Sequence, residues 1–549
     1  MKNRIKQYLL AASMCVGLTA CSDFFEPIPG VQFGLDETFA SKQRTEEYLN
    51  NVYSYVREVT DAIHPNTYGG IFTEASLDGA NRWNKTYAEW TNGSFNSASA
   101  QASEYFSKYY QAIAKASTFI QNVDKCTEAA ASTRGKWKSE ARALRAYYYF
   151  ELLRLYGPIP LIGEDPIPLD ASLEELIKER NSVDECVNFI ATELQSAIDS
   201  GDLLQRAGKA NLGRMDVATC MALKAKLYLY WASPLFNGNT DQASVKNKDG
   251  KQLFPQTEDN SKWAQARDAY ERFMTFATGQ GYKLTEVYTN GKLDPYASCR
   301  AAGEFFTTTW EAVDELIFVK LRDLYDYTYW VCPKFTDFQD TDVTGGGGYY
   351  TTQETVDLFF TKDGLTIEED PGYDKFEGIP SANNFTSGRY YDPNNPSRLY
   401  FDADKSKVLK QWKDREPRFY VNITYSGSIW LNEGKYNEEM RTDFTNGANG
   451  TCGKSKASGD CPDSGYLIRR GAKASNNNGS KHFSPVLRLA DMYLGYAEAL
   501  CMCSDLDNAL TYLNKIRVRA GIPEYTFTAT AGKITCPKTQ TDLLNRIRR

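Results

Sequence analysis

Trp137-Lys138-Ser139-Glu140-Ala141-Arg142-Ala143-Leu144-Arg145-Ala146-Tyr147-Tyr148-Tyr149-Phe150-Glu151-Leu152-Leu153-Arg154-Leu155-Tyr156-Gly157-Pro158-Ile159-Pro160-Leu161 is the stretch from which the fold is read. Trp137, Ala141, Leu144, Tyr148, Leu152 and Leu155 recur at three- and four-residue steps, so one face of a helix over 133–156 is apolar. Gly157-Pro158 stops it, because glycine accepts the reversal of backbone hand and proline has no amide to continue the ladder. Arg142, Arg145 and Arg154 on this helix read as scaffold ion pairs.

Similar periodicity continues downstream over 182–200, 216–233 and 261–278. These segments begin some 35 to 45 residues apart, close to the period of helix-turn-helix repeats, although the tetratricopeptide consensus does not match cleanly. Upstream, Asp36 reads as the N-cap of a helix running through Tyr48, Val52 and Val56. Towards the C-terminus two more helices are expected, 484–501 and 505–520. Gly521 and Pro523 stop the second. Between the two helical blocks the character changes. The glycine run 345–348, the Pro/Asn/Gly-rich region 371–397 and the segment 476–479 read as irregular connections, with short β-like pieces such as 316–319 between them. The fold expected is mainly α, a scaffold of stacked helix pairs carrying a loop-rich insert with short β pieces. Its divisions are an N-terminal scaffold 36–281 with a loop at 65–100, an insert 282–481, and closing helices 482–549.

The N-terminus carries an address. Lys2, Arg4 and Lys6 precede a short apolar run, and Leu18-Thr19-Ala20-Cys21 closes it, the order of a lipoprotein signal. Residues 1–20 would be removed and Cys21 lipidated, leaving 21–35 as an extended tether in which Pro27 and Pro29 oppose a helix. The body has no apolar run fit to span a bilayer; 221–236, the best candidate, contains Lys224 and Lys226. The only membrane attachment expected is therefore the lipid.

Composition narrows the chemistry. The net charge of −7 provides no basic footprint for nucleic acid. Only two histidines, His64 and His482, argue against a histidine triad or a zinc helix. The glycine run 345–348 is followed by neither a lysine nor a helix, so it reads as a flexible connector and not a phosphate cradle. No EF-hand-like spacing supports a calcium ion, and no cofactor is expected. Cysteines are scattered; Cys452 and Cys461 share one Gly/Ser/Asp-rich loop and form a candidate disulfide, while Cys501 and Cys503 read as buried thiols. Catalysis has no positive signal. Binding has two. Trp83, Tyr87 and Trp90 cluster with Asp78, Arg82 and Asn84 in one loop, and Tyr325, Tyr327 and Trp330 cluster in the insert with Tyr329. Flat rings with polar side chains beside them suit sugar rings, which stack through C–H faces and bond through hydroxyl edges. The plain alternative for each ring is packing of loops on helices.

Three segments resemble the SusD/RagB family: 137–161, quoted above; Pro485-Val486-Leu487-Arg488-Leu489-Ala490-Asp491-Met492-Tyr493-Leu494 with Tyr496-Ala497-Glu498-Ala499; and Leu513-Asn514-Lys515-Ile516-Arg517-Val518-Arg519-Ala520-Gly521-Ile522. The start Cys21-Ser22-Asp23-Phe24-Phe25 is similar too. The resemblance implies a tetratricopeptide-like scaffold and a non-catalytic lipoprotein on the outer face of an outer membrane. It further implies oligosaccharide capture, or peptide capture as the alternative, over a SusC-like TonB-dependent barrel. A secreted hydrolase and a pure interaction scaffold are the competing classes. Ligand contacts in the family sit on variable loops, so only the positions of the two aromatic clusters carry over. In the family the last helix continues into an acidic and aromatic stretch, whereas Leu543-Leu544-Asn545-Arg546-Ile547-Arg548-Arg549 stops mid-pattern: either the chain is truncated, with apolar surface uncovered near that end, or it lacks the usual C-terminal closure.

Overall fold

The computed structural model describes residues 34–57, 79–82, 93–165, 167, 171–303, 314–321, 329–335, 345–376, 378–430, 440–445, 452–453, 460–472 and 483–549. It is mainly helical. The principal helices are α1 (Leu35–Ala40), α2 (Lys42–Tyr53), α3 (Ala100–Asn122), α4 (Ala131–Tyr156), α5 (Val183–Asp199), α6 (Val217–Ala232), α7 (Ser261–Gly279), α8 (Pro295–Gly303), α9 (Leu489–Met502), α10 (Leu506–Ala520) and α11 (Gln540–Arg548). They stack in order: α3 on α4, α4 on α5, α5 on α6, α6 on α7. The stack then skips the insert, with α7 on α9 and α9 on both α10 and α11. The result is the tetratricopeptide-like pile of helix pairs, with one continuous apolar core running from Phe39 to Ile547.

The decisive helix α4 is buried on more than the one face its periodicity predicts. Tyr147, Tyr148, Tyr149 and Phe150 are consecutive and all buried, because α3 covers one side and α5 the other. Their hydroxyls need partners once buried: Tyr148 donates to the Val52 carbonyl at 2.5 Å and Tyr149 to that of Ile162 at 2.7 Å. Arg145 is wholly buried and donates to Glu193 on α5 through Nε at 2.9 Å and Nη2 at 2.5 Å. Arg142 adds a bond to the same carboxylate at 3.2 Å, and Arg154 pairs with Glu151 at 2.9 Å. All three arginines are thus scaffold ion pairs. Lys226 likewise ties α6 to α9 through Asp491 at 2.5 Å.

Caps follow local chemistry. Ser182 and Glu185 form a reciprocal capping box on α5, and Asp216 accepts the Thr219 amide of α6 at 2.7 Å. Asp36, in contrast, is not a cap. Gly34 precedes α1, Asp36 lies in its first turn and accepts from Lys125 at 2.8 Å, and the helix breaks at Ser41 before α2.

Two other boundaries differ from expectation. Residues 484–488, read as helix, belong to strand β10 (Phe483–Arg488), which pairs antiparallel with β4 (Leu316–Leu321). Ser484-Pro485 has the form of a helix start, but pairing with β4 makes the segment extended and buries Leu487 against the core. The region 371–397, read as irregular, contains most of a hairpin of Arg389–Asp392 and Asn395–Asp402, whose Pro393-Asn394 turn accounts for the proline and asparagine signal. Its rings join an aromatic core in which Tyr400 stacks on Tyr420 at 3.9 Å between centroids.

The chain's end is covered. Leu543 is fully buried, Ile547 nearly so, and Arg546, Arg548 and Arg549 reach Glu369, Glu498 and Glu368 at 2.9, 2.7 and 3.1 Å. α11 lies against α9 and α10, which covers Leu543 and Ile547. Among the described residues no helix is long and apolar enough to cross a membrane.

Candidate functional site

A four-stranded sheet in the insert is ordered β1 (Ala80–Asn81), β5 (Tyr349–Tyr350), β9 (Tyr466–Ile468), β8 (Ile423–Tyr425), antiparallel throughout. Its outer strand comes from the N-terminal half of the chain. The glycine run 345–348 leads into β5 and is not the flexible connector its composition suggests. Gly345 donates to the Pro333 carbonyl at 2.9 Å, Gly346 to Tyr329 at 2.7 Å, Gly347 to Cys332 at 2.9 Å and Gly348 to Trp330 at 3.2 Å. With every amide of the run engaged, none is left to cradle a phosphate. Glycine is required here by contact: a Cβ on Gly345 would stand 2.4 Å from the Cys332 carbonyl oxygen and 2.5 Å from that of Tyr329. Gly347 has φ +60°, a conformation that side chains resist.

The same run receives the other loop. The Arg82 amide donates to the Gly348 carbonyl at 3.0 Å. Arg82, from the first cluster, and Tyr329 and Trp330, from the second, are therefore held by one glycine segment. Arg82 is held further by an ion pair to Asp463 and by a bond to the Cys461 carbonyl at 3.3 Å. Lys334 pairs with Asp460 at 2.5 Å alongside. Arg82 is mostly covered, with Asp463 half exposed beside it, so the pair presents a polar edge to solvent.

Of the residues singled out from the sequence, Arg82, Trp330, Cys452 and Cys461 fall within the described residues. Cys21, Asp78, Trp83, Asn84, Tyr87, Trp90, Tyr325 and Tyr327 lie outside them. Trp330 is only 4% exposed and packs edge-on to Tyr349 at 6.3 Å; it serves the core under the sheet and offers no open ring face. The Cys452–Cys461 disulfide is not formed in the structure. Cys452 instead packs in the apolar cluster that holds Cys332 and Trp330, which Cys461 does not join. Burial pushes the Cys332 thiol up, and neighbouring Cys452 adds to this. Among the described residues no group of three His, Cys, Asp or Glu side chains is placed to hold a metal.

Sequence reasoning missed Asp460, Asp463 and Lys334. Arg82 and Asp463 are 381 residues apart, and no local pattern signals a contact at that range. Another missed feature lies beside the sheet: Arg398 bridges Asp294 at 2.9 Å and Asp392 at 2.6 Å, with its guanidinium 4.2 Å from the Tyr296 ring. Burial opposes ionisation of Tyr296, but Arg469, Arg300 and Arg398 around it outweigh that and bring its hydroxyl below the ordinary tyrosine range.

Two family models match the chain. One, the SusD family, takes in residues 315–549; the other, described as starch-binding associating with outer membrane, takes in 32–229. The chain belongs to the SusD/RagB family. A SusD-like protein of Bacteroides ovatus is 27% identical over 175 residues, which is 31% of this chain and spans 30% of that relative's length. Solved structures extend the likeness to the whole fold. A SusD-like protein from Bacteroides fragilis superposes with a TM-score of 0.66 at 21% identity, covering 94% of this chain and 86% of that one. A SusD-like carbohydrate binding protein, also from Bacteroides fragilis, gives 0.59 at 17% identity over 93% and 83%. Surface glycan-binding protein A from Bacteroides uniformis gives 0.54 at 15% over 92% and 85%. At these identities the superpositions establish that the SusD-like scaffold and its insert are shared.

Proposed function

We propose that this SusD/RagB member is a non-catalytic lipoprotein, anchored through Cys21 on the outer face of an outer membrane, that captures oligosaccharides and caps a SusC-like TonB-dependent barrel for their import. The observation that carries the reading is that Arg82 and Tyr329, which border the two aromatic-rich stretches of the sequence, are both held by the glycine run 345–348. Flat rings with hydroxyl-bonding neighbours are how sugars are recognised. The family's starch-binding description and the carbohydrate- and glycan-binding names of two structural neighbours support the ligand class. The lipidated tether 21–35 would keep the body at high local concentration over the barrel.

The test is titration calorimetry of the full chain against panels of neutral oligosaccharides and of peptides. One oligosaccharide class should bind, and Trp83→Ala or Trp90→Ala should weaken it at least about tenfold, the usual cost of losing an aromatic anchor. Arg82→Ala should weaken it too, by releasing the first loop's root. Cys21→Ala should leave binding in solution unchanged and impair uptake by cells. Binding to peptides alone would replace the glycan by a peptide cargo, and release of products from a polysaccharide by the protein alone would reject the non-catalytic reading.

A further inference from the structure

The scaffold carries a second concavity, built from elements that the four-stranded sheet does not use. It is an open groove of about 1410 Å³ between the end of α7, the segment leading into strand β2 (Tyr288–Thr289), and the flank of α9 and α10. That exceeds the roughly 300–1,000 Å³ typical of small-molecule sites and suits an extended chain of units.

Its charges do not cancel locally. Asp314 is occupied by Arg206 at 2.8 Å and by Lys283 at 3.5 Å, and Glu524 by Lys533 at 2.6 Å. Glu286 accepts the Tyr288 hydroxyl at 2.8 Å. Two further lysines line the groove, Lys209 and Lys515, and neither has a carboxylate partner among the described residues. Lys515 instead stands over the rings of Tyr512 and Tyr493, 4.7 and 5.3 Å from their centroids. Tyr288 is 60% exposed on the opposite wall.

The floor is rigid. Thr285 lines the groove and is only 5% exposed, and its amide donates to Glu315 at 2.8 Å, which is itself fixed by Arg519 at 2.8 Å.

We propose that this groove is a second saccharide site, selective for anionic oligosaccharides. Lys209 and Lys515 bind the carboxylate or sulfate groups, and the exposed ring of Tyr288 stacks on a sugar ring. Two ammonium groups without a carboxylate partner select against neutral chains, and an exposed ring in an open polar groove suits a sugar better than peptide side chains, which need closed apolar pockets.

The full chain is titrated with trigalacturonate, with a sulfated galactan oligomer, with maltotriose and with triglutamate, while hydrogen–deuterium exchange locates the contact. Binding of either anionic sugar, with protection over 283–288 and 511–518, is expected. Lys209→Gln with Lys515→Gln should weaken it about tenfold, as should raised salt, and Arg82→Ala should leave it unchanged. Both lysines are exposed, so the variant should fold. The proposal is overturned if neither anionic sugar binds, if triglutamate binds as tightly, or if protection falls on 345–350 and 466–468 and is lost with Arg82→Ala. The last result would assign the anionic sugar to the sheet.

Discussion

Asp216 shows how one side chain serves two ends. As the N-cap of α6 it accepts the amides of Thr219 at 2.7 Å and Ala207 at 2.6 Å, yet it is fully buried. Burial raises its carboxyl to about 6 even though both amides oppose the rise. A carboxyl raised above its unfolded value of 3.8 holds its proton in the folded state after the unfolded chain has released it. Stability contributed by this group is therefore present below about pH 4 and is lost as pH climbs towards 6. Asp216→Asn, permanently neutral, should lack that slope. The gap in urea midpoint between wild type and variant should thus shift in the variant's favour from pH 4 to pH 6.5, and a constant gap would show that Asp216 does not titrate there. Arg82 behaves differently at the same scale. The sequence marks it as a loop polar residue, and its fixed geometry comes from Asp463 and the Cys461 carbonyl, which only folding brings near.

Among the elements, the glycine run 345–348 is the piece most misread from composition. Glycines in series suggest looseness because each lacks a side chain, but that same absence lets the backbone lie against the carbonyls of 329–333. Gly345→Ala places a methyl where backbone atoms already stand, and flexible side chains cannot yield to it. A loss of about 1–3 kcal/mol is expected from such overpacking, measured by urea denaturation, with faster amide exchange at 345–348. Unchanged stability would mean that this approach is not close in solution. Strand β10 teaches a related lesson. Its residues run straight into α9 with no glycine or proline at the junction, and only the presence of β4 to pair with decides that 483–488 is extended.

For the whole molecule, the closing contacts lie far apart in sequence. α9, α10 and α11 complete a stack begun at α3, and α11 adds Leu543 to the core with three arginines fastening its rim. Leu543→Ala should cost about 2–5 kcal/mol, read as a lower urea midpoint, because a fully buried leucine leaves a cavity as well as losing its burial energy. A change under about 0.5 kcal/mol, the range of surface substitutions, would place α11 outside the cooperative unit. The arrangement also separates the two proposed sites: the sheet joins strands from both halves of the chain, whereas the groove beside α10 belongs to the scaffold itself.

By itself the sequence determined α4 to α7 and α10 and their order, since periodicity, caps and Gly-Pro breaks act over a few residues, and it carried the family's three signature segments. The helix α3, which packs on α4, went unread. Tertiary structure alone decided that 483–488 is extended, that α4 is enclosed, that Trp330 is core, that Cys452 lies with Cys332, and that Arg82 and Trp330 meet one glycine run. The reason is physical: burial, pairing and uncompensated charge depend on partners brought together across hundreds of residues, and no local window contains them.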